Sequence, residues 1–355
     1  MIDLALLQNE RTPAFVIDAD AVRRNIDEVL RRVGDPRGWR CHVKTARSTW
    51  GYRLLLERGL TRFKCSTVEE LRALAEAGAP DVLLAFPAVG PTQHAVAEVA
   101  RRHPEVRVSA LVDSIAALET WIPPVEVFVD VDTGMHRTGV PIEDTAAVLR
   151  LARDVVDRGY RFRGLHSYDG HLADAPREDL LTWDQRLLAE TAAALADAGC
   201  PPDEVVMGSS HTFTDVLDEP WTGPGERTVG PGTVLYNDGR SLQRFGQNSG
   251  FAPAAGVLTR VVSVAGDRVT TDAGLASAQV DAGRPHVQVA DRPDLEVVSV
   301  AQEHLVLRRT REPVTVGDLL LLVPMHVDTA IIQFDRLLIA DTDITSVPAV
   351  GRWTR

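Results

Sequence analysis

Short apolar runs alternate with longer amphipathic segments over about the first 240 residues, and this alternation restricts the fold more than any other feature. The runs are PAFVID, WRCHVK, RFKCS, DVLLAF, RVSALV, VEVFVDV, RFRGLHSY and EVVMGSS. Because strands and helices alternate at a spacing of roughly 20–40 residues, parallel βαβ units are expected. About eight such units predict an α/β fold with a closed (β/α)₈ TIM-like barrel rather than an open sheet.

One amphipathic segment, TVEELRALAEAG, carries its own start and stop signals. Thr67 is the expected N-cap, Glu70 completes a capping box, and Gly78 is a C-terminal stop. The pattern therefore predicts a helix that begins just after Thr67.

The sequence changes character after about residue 245. Segments such as GVLTRVVSVAGDRVTTDAG and DLEVVSVAQEHLVLRRT combine β-favouring residues with turn signals, and no long helical period is present. We therefore expect a barrel domain over residues 1–245 and a mainly β domain over residues 246–355. The segment WTGPGERTVGPG, residues 221–232, is expected to be a loop.

Charge and composition argue against several classes of partner and location. The formal net charge of −12 disfavours nucleic acid and anionic membrane surfaces as partners. The start of the chain lacks the basic segment of a secretory signal, and apolar runs such as LLLLVP are too short to span a bilayer. The three cysteines, Cys41, Cys65 and Cys200, have no metal-type spacing. Reduced thiols in the cytoplasm are therefore expected.

Polar residues follow the apolar runs, at the strand ends where the active site of a (β/α)₈ barrel lies. Lys44, one of only two lysines in the chain, follows WRCHV. The other candidates are Asp132, His136, Arg137, His166, Tyr168, Asp169, His171, Ser209, Ser210, Thr212, Gly230, Gly232, Thr233 and Tyr236. Ordinary alternatives exist, since a strand-end lysine can be a solvated charge and GSSHTFT can be a helix N-cap.

Three of these segments together suit one cofactor. The turn GSSHTFT offers backbone N–H groups and hydroxyls to a phosphate, and the turn GPGT lets the backbone approach the same anion. Lys44 can bond covalently to an aldehyde, whereas an arginine has no free amine. Pyridoxal phosphate carries both a phosphate and an aldehyde, so it is the predicted cofactor.

The chain resembles the fold-type III pyridoxal-phosphate enzymes, the alanine racemase-like barrels. The segment VDTGMHRTGV resembles that of alanine racemase, which implies that Arg137 supports the phenolic oxygen of the cofactor. HVKTARS resembles the lysine segment of the D-threonine aldolase and D-serine dehydratase family, which implies covalent attachment at Lys44. GLHSYDGH implies His166 or Tyr168 beneath the cofactor ring. The resemblance also assigns phosphate binding to Ser209, Ser210, Thr212, Gly230, Gly232, Thr233 and Tyr236.

One position departs from that pattern. Related enzymes often have an arginine immediately before the Pro-Gly of the second phosphate turn, whereas this chain has Gly230, and the nearest arginine is Arg227. The partner of the cofactor's ring nitrogen therefore stays open.

The C-terminal segment PMHVDTA contains a candidate metal pair. His326 and Asp328 have one residue between them, so on a strand both side chains would face the same side. The alternative is a half-buried strand with both residues on its solvent face. The resemblance favours the metal, because metal-dependent members carry His-x-Asp or His-x-Cys here. Aspartate is a hard ligand that favours Mn²⁺ or Mg²⁺, although Zn²⁺ is also compatible.

The resemblance implies a metal-dependent lyase that converts a D-β-hydroxy amino acid to glycine and an aldehyde by a retro-aldol reaction. The general base is His171, Asp169 or a metal-bound hydroxide, and the sequence leaves this choice open. The alternative is a D-serine or 3-hydroxyaspartate dehydratase, because only Asp328 in place of a cysteine favours the aldolase. A racemase, a cofactor carrier and an unrelated barrel are less favoured. The resemblance also implies a homodimer.

Overall fold

The computed structural model describes residues 2–173, 185–246, 248–279 and 281–351. These residues form two compact units. The barrel unit contains residues 29–44, 51–173 and 185–232, and the sheet unit contains residues 2–28, 45–50 and 233–351. Both units are therefore assembled from separate chain segments, which differs from the single boundary expected at residue 245.

The strands are β1 (Ala14–Asp18), β2 (Arg40–His42), β3 (Arg62–Cys65), β4 (Asp81–Pro87), β5 (Arg107–Val112), β6 (Glu126–Asp132), β7 (Val140–Pro141), β8 (Phe162–Ser167), β9 (Glu204–Met207), β10 (Glu226–Val229), β11 (Ala255–Ala265), β12 (Arg268–Thr271), β13 (Val287–Val289), β14 (Leu295–Val300), β15 (Leu305–Arg309), β16 (Leu319–Pro324), β17 (Arg336–Ala340) and β18 (Ile344–Pro348). The described α-helices are α1 (Ala19–Val33), α2 (Thr49–Glu57), α3 (Val68–Glu76), α4 (Pro91–Arg102), α5 (Ile115–Glu119), α6 (Thr145–Asp157), α7 (Gln185–Asp197), α8 (Phe213–Asp218), α9 (Gly239–Phe245), α10 (Leu275–Ala278) and α11 (Val327–Ile331). None of the helices in the described ranges has the length and apolar content needed to cross a membrane.

The barrel unit contains eight parallel strands in the order β10-β9-β8-β6-β5-β4-β3-β2. A parallel bridge between Trp39 and Val229 joins the two ends of this order. The predicted (β/α)₈ barrel is therefore confirmed. The N-cap and the stop of α3 are also confirmed: Thr67 Oγ1 accepts a hydrogen bond from Glu70 N, and Gly78 lies just beyond the helix with a φ of +88°. The second bond of the predicted capping box differs, because the Glu70 carboxylate accepts from Ser66 N at 2.8 Å rather than from Thr67 N.

Two strand predictions were wrong. PAFVID forms β1, which pairs antiparallel with β11 and parallel with β17 in the sheet unit, so it is not a barrel strand. The eighth barrel strand is instead β10, which lies within the segment 221–232 that was expected to be a loop. The first error arose because β1 is buried on both faces, and such a strand has the same composition in either unit. The second arose because β10 has only four residues and is flanked by Gly and Pro, which are typical of loops.

Buried ion pairs fill the amino-terminal end of the barrel. Arg40 Nη2 lies 2.6 Å from Glu204 Oε2, and Arg40 Nη1 lies 2.8 Å from Asp81 Oδ1. Arg163 Nη2 lies 2.9 Å from the other oxygen of Asp81. Burial opposes the charge of Asp81, but the two arginines hold its pKa at about 2. An apolar layer then follows along the strands, formed by Leu83, Leu111, Phe128 and Val206.

The sheet unit is built around a second, mainly antiparallel sheet. Its strand order is β14-β15-β12-β11-β1-β17-β18, with β16 pairing both β11 and β13. The core of this sheet contains Leu7, Val16, Leu258, Leu319, Leu338 and Ala340. The predicted mainly β character of the C-terminal region is therefore confirmed.

Candidate cofactor and metal sites

Two turns of the barrel unit meet at the carboxyl ends of β9 and β10. The first turn begins at Gly208, whose φ is +72°, and the second contains Gly230 and Gly232. Gly232 N donates a hydrogen bond to Ser210 Oγ at 2.9 Å, so the two turns are joined directly. A Cβ built on Gly232 would lie 2.2 Å from the carbonyl oxygen of His42, so only glycine fits there.

The hydroxyl groups of the first turn are organised by a buried carboxyl group. Thr212 Oγ1 donates to Asp169 Oδ2 at 2.5 Å and accepts a hydrogen bond from Ser209 N at 2.8 Å. Burial raises the pKa of Asp169. Asp169 Oδ1 is buried and has no hydrogen-bond partner within the described part of the chain. The hydroxyl groups and the tight glycine positions fit the phosphate end of a cofactor. The free oxygen of Asp169 is an acceptor, so it would need a donor rather than a phosphate.

His166 is held in one orientation inside the barrel. Its Nδ1 atom lies 2.8 Å from Asp130 Oδ1, and Asp130 Oδ2 accepts a hydrogen bond from Thr138 Oγ1 at 2.8 Å. Burial lowers the pKa of His166, so the ring is neutral at physiological pH. With Nδ1 donating to Asp130, Nε2 carries the lone pair, and among the described residues this buried atom has no partner. His166 Nε2 could therefore accept a hydrogen bond from a donor on a bound molecule.

Arg137 and Tyr168 line one small cavity together with His166. The Arg137 guanidinium carbon lies 4.8 Å from the centre of the Tyr168 ring, which is cation–π distance. His171 packs against the DTG segment, because a Cβ on Gly134 would lie 2.8 Å from His171 Nε2. The structure thus groups Arg137, His166, Tyr168 and His171 in the barrel unit.

Lys44 lies two residues after the end of β2 and is half-buried. The other lysine, Lys64 on β3, is fully buried, and its amine lies against Gly230. Burial, together with the charge of Lys44, lowers the pKa of Lys64 to about 8, although the charge of Asp169 opposes this shift. The sequence analysis gave Lys64 no role, because the residues next to a lysine in the sequence do not show whether its side chain is buried.

Thr233 and Tyr236, predicted to bind the phosphate, belong to the sheet unit. Tyr236 is buried, and its hydroxyl donates to the carbonyl oxygen of Ala46 at 2.9 Å. Arg227, the nearest arginine to the glycine turn, donates to the carbonyl oxygens of Val216 and Glu219. Its guanidinium is therefore engaged in holding the backbone of the barrel unit.

The metal pair lies in the sheet unit, but its predicted local structure was wrong. Strand β16 ends at Pro324, His326 is the N-cap of α11, and Asp328 lies in the first turn of that helix. Asp238 Oδ2 accepts a hydrogen bond from Val327 N at 3.0 Å, which turns the chain into the helix instead of continuing the strand. His326 Nε2 nevertheless lies 4.0 Å from Asp328 Oδ2, so the two groups converge.

Neighbouring side chains orient both members of the pair. His326 Nδ1 lies 2.6 Å from Asp281 Oδ2, and Asp281 Oδ1 accepts a hydrogen bond from Thr329 Oγ1 at 2.7 Å. Thr45, which follows Lys44 in the sequence, donates from Oγ1 to Asp328 Oδ1 at 2.6 Å. An imidazole nitrogen and a carboxylate oxygen suit a divalent cation. In the described ranges no group of three or more His, Cys, Asp or Glu residues has metal-site geometry, so the candidate is a two-residue site.

The chain is similar along most of its length to enzymes that act on β-hydroxy amino acids. It is 27% identical to the D-threo-3-hydroxyaspartate dehydratase of Delftia sp. (strain HT23), over 96% of this chain and 98% of that protein. It is 29% identical to the D-threonine aldolase of Arthrobacter sp., over 78% of this chain and 74% of that enzyme. The structure of D-threonine aldolase from Filomicrobium marinum matches with a TM-score of 0.85 at 25% identity, over 97% of this chain and 96% of that one. A variant of the Delftia dehydratase has been solved in a metal-free form.

Two family models divide the chain between them. The model of the alanine racemase N-terminal domain matches residues 17–239, which is more than half of the chain. A model of a domain named after serine dehydratase matches residues 254–340. Together with the named relatives, these matches support an enzyme of the lyase class that uses pyridoxal phosphate. The chain therefore belongs to the alanine racemase N-terminal domain family.

Proposed function

We propose that this protein is a lyase, dependent on pyridoxal phosphate and a divalent metal, that cleaves a D-β-hydroxy amino acid to glycine and an aldehyde. The observation that carries the proposal is the convergence of His326 Nε2 and Asp328 Oδ2, a nitrogen and a hard oxygen ligand. The similarity to D-threonine aldolases supports the same reaction. We further propose that the protein works as a homodimer in the cytoplasm.

The cofactor would be held at both ends by residues of this chain. Lys44 would attach its aldehyde, and Arg137 would donate to its phenolic oxygen. His166 or Tyr168 would pack beneath the ring. The phosphate would be bound by the turns of the barrel unit, through Ser209, Ser210, Thr212, Gly230 and Gly232. When bound, the cofactor supplies an electron sink that stabilises negative charge at the substrate α-carbon.

The amine of Lys44 and the ring of His171 are the groups that would move protons. Lys44 Nζ would return a proton to the α-carbon. We favour His171 over Asp169 as the base at the β-hydroxyl, because Asp169 is enclosed and bonded to Thr212, whereas His171 is exposed beside the DTG segment. Asp169 would then have a structural role, in which it accepts the hydrogen bond that fixes Thr212 in the phosphate turn.

His326 and Asp328 would hold the metal, with Mn²⁺ or Mg²⁺ preferred over Zn²⁺ because of the carboxylate. A bound divalent cation lowers the pKa of a hydroxyl group that it contacts. Asp281 and Thr45 would fix the two ligands in place, through the bonds to His326 and Asp328.

A dehydratase is the second candidate. It is favoured by the similarity to the Delftia dehydratase, which spans almost the whole of both chains. In that reaction the α-proton and the β-hydroxyl leave as water, and the resulting enamine tautomerises to an imine, which a water molecule hydrolyses to a keto acid and ammonia. Lys44 is the group that would take the α-proton.

One assay separates the two reactions. Protein purified with Mn²⁺ and pyridoxal phosphate is incubated with D-threonine, D-serine and D-threo-3-hydroxyaspartate. We expect glycine and an aldehyde, with the metal removable by a chelator and restored by adding Mn²⁺. Formation of a keto acid and ammonia as the main products would replace the aldolase proposal with the dehydratase.

A further inference from the structure

Lys64 is a buried lysine whose amine lies directly against Gly230. Its side chain points into the barrel from β3 and is 1% exposed. A Cβ built on Gly230 would lie 2.3 Å from Lys64 Nζ and 2.6 Å from Lys64 Cε. Any larger residue at position 230 would therefore push the amine away from the turn.

The surroundings of Lys64 differ from those of two other buried cations, Arg40 and Arg163. Arg40 and Arg163 each bind carboxylate oxygens at 2.6–2.9 Å. Within the described part of the chain, no carboxylate is paired with Lys64 Nζ in the way that Asp81 and Glu204 are paired with the two arginines. Asp169 is the group whose charge most favours the ammonium, and Lys44, Arg40 and burial oppose it. A buried ammonium without a carboxylate partner is costly, so its position against Gly230 points to an acceptor on a bound molecule.

The proposed cofactor has one polar group without an assigned partner. Its aldehyde is assigned to Lys44, its phosphate to the two joined turns, and its phenolic oxygen to Arg137. The ring nitrogen remains. Arg227 is not available for it, because its guanidinium donates to backbone carbonyl oxygens.

We propose that Lys64 is a further cofactor-binding residue, which donates a hydrogen bond from Nζ to the ring nitrogen of pyridoxal phosphate. The inference rests on the proposed cofactor. Because the ammonium is the donor, the ring nitrogen keeps its lone pair and stays unprotonated. The competing group is His166 Nε2, an acceptor that would instead bind a protonated ring nitrogen. The protonation of this nitrogen therefore distinguishes the two partners.

The test uses the protein loaded with pyridoxal phosphate that carries ¹⁵N in the ring. The ¹⁵N resonance is recorded at neutral pH for the wild type, Lys64→Met and the control Cys65→Ala. Cys65 is the next residue on β3, is equally buried and points to the other face of the strand. Loss of the cofactor during dialysis is measured for all three proteins.

We expect an unprotonated, hydrogen-bonded ring nitrogen in the wild type and in Cys65→Ala. In Lys64→Met the resonance should move, and the cofactor should be bound roughly tenfold more weakly or worse, as for the loss of a charged hydrogen bond. If Lys64→Met does not fold, Gly230→Ala should reproduce the change, since its Cβ displaces the amine.

Two results would overturn the assignment while leaving the cofactor in place. One is a protonated ring nitrogen in the wild type, which would favour His166. The other is an unchanged resonance and unchanged cofactor retention in a folded Lys64→Met protein. A wild-type protein that binds no pyridoxal phosphate would refute the proposed function itself, and the role of Lys64 with it.

Discussion

The imidazole of His326 is bonded through Nδ1 to Asp281 Oδ2, at 2.6 Å, which leaves Nε2 as the nitrogen that converges on Asp328. A carboxylate behind a histidine fixes the tautomer and the orientation of the ring, and it raises the basicity of the free nitrogen. The two residues are 45 positions apart in the sequence, so only the fold brings them together.

We predict that Asp281→Ala weakens the binding of Mn²⁺ by roughly 10- to 100-fold, because His326 loses the group that orients it. Isothermal titration of the cofactor-loaded protein with Mn²⁺ measures the effect. Asp267→Ala is a suitable control, since Asp267 is an exposed aspartate of the same unit, in the turn between β11 and β12. Equal affinities in the two variants would show that Asp281 has no influence on the metal.

Asp328→Ala should abolish metal binding and carbon–carbon cleavage but preserve the visible absorption of the cofactor. The reason is that the cofactor is assigned to Lys44 and the turns of the barrel unit, whereas Asp328 supplies the metal ligand. Asp328→Cys should shift the preference toward Zn²⁺, because thiolate is a softer ligand. Elemental analysis and absorbance spectra give both readouts. Full activity of the Asp328→Ala protein would remove the metal from the mechanism.

Lys44 is expected to be the residue that holds the cofactor covalently. Reduction of the loaded protein with borohydride, followed by peptide mapping, should place the pyridoxyl group on Lys44. The chain provides an internal control, since Lys64 is the only other lysine. A label on Lys64, or the absence of a label, would contradict the assignment.

Arg137→Ala should leave the fold intact, shift the absorption of the bound cofactor and lower the rate of turnover. Arg137 is exposed and contacts the face of the Tyr168 ring, so its removal leaves no buried charge unpaired. Circular dichroism, the absorption spectrum and the rate are compared in the same samples. If unfolding is the main effect, Arg137 has a structural role instead.

The buried amine of Lys64 predicts a pH dependence of stability in the cofactor-free protein. Its pKa is about 8 in the folded state, below the ordinary value of 10.5, so the unfolded chain binds more protons between these values. The free energy of unfolding should therefore rise as the pH increases from about 8 to 10.5, and Lys64→Met should lack this contribution. Urea titrations of both proteins across this range measure the difference. Parallel curves would mean that Lys64 is not a buried cation.

The barrel could be predicted because alternating strands and helices leave a periodic pattern, and the α3 cap could be predicted because its signals lie within four residues. The identity of the eighth strand could not, since β10 is short and flanked by Gly and Pro. PAFVID was assigned to the barrel because the sequence of a buried strand does not show which strands it pairs with. Lys64 and Asp281 were missed for the same physical reason, as burial and long-range hydrogen bonds depend on the closed fold.

The ion pairs that stabilise the barrel lie at its amino-terminal end, whereas the candidate active-site residues follow the carboxyl ends of the strands. Arg40, Asp81, Arg163 and Glu204 all lie within strands, and none comes from the loops that follow the strands. Removing one partner of such a buried pair typically costs about 3–5 kcal/mol, so these positions tolerate little change. Laboratory evolution toward a different β-substituent can therefore diversify the loops at the opposite end freely, provided that these four codons are kept fixed.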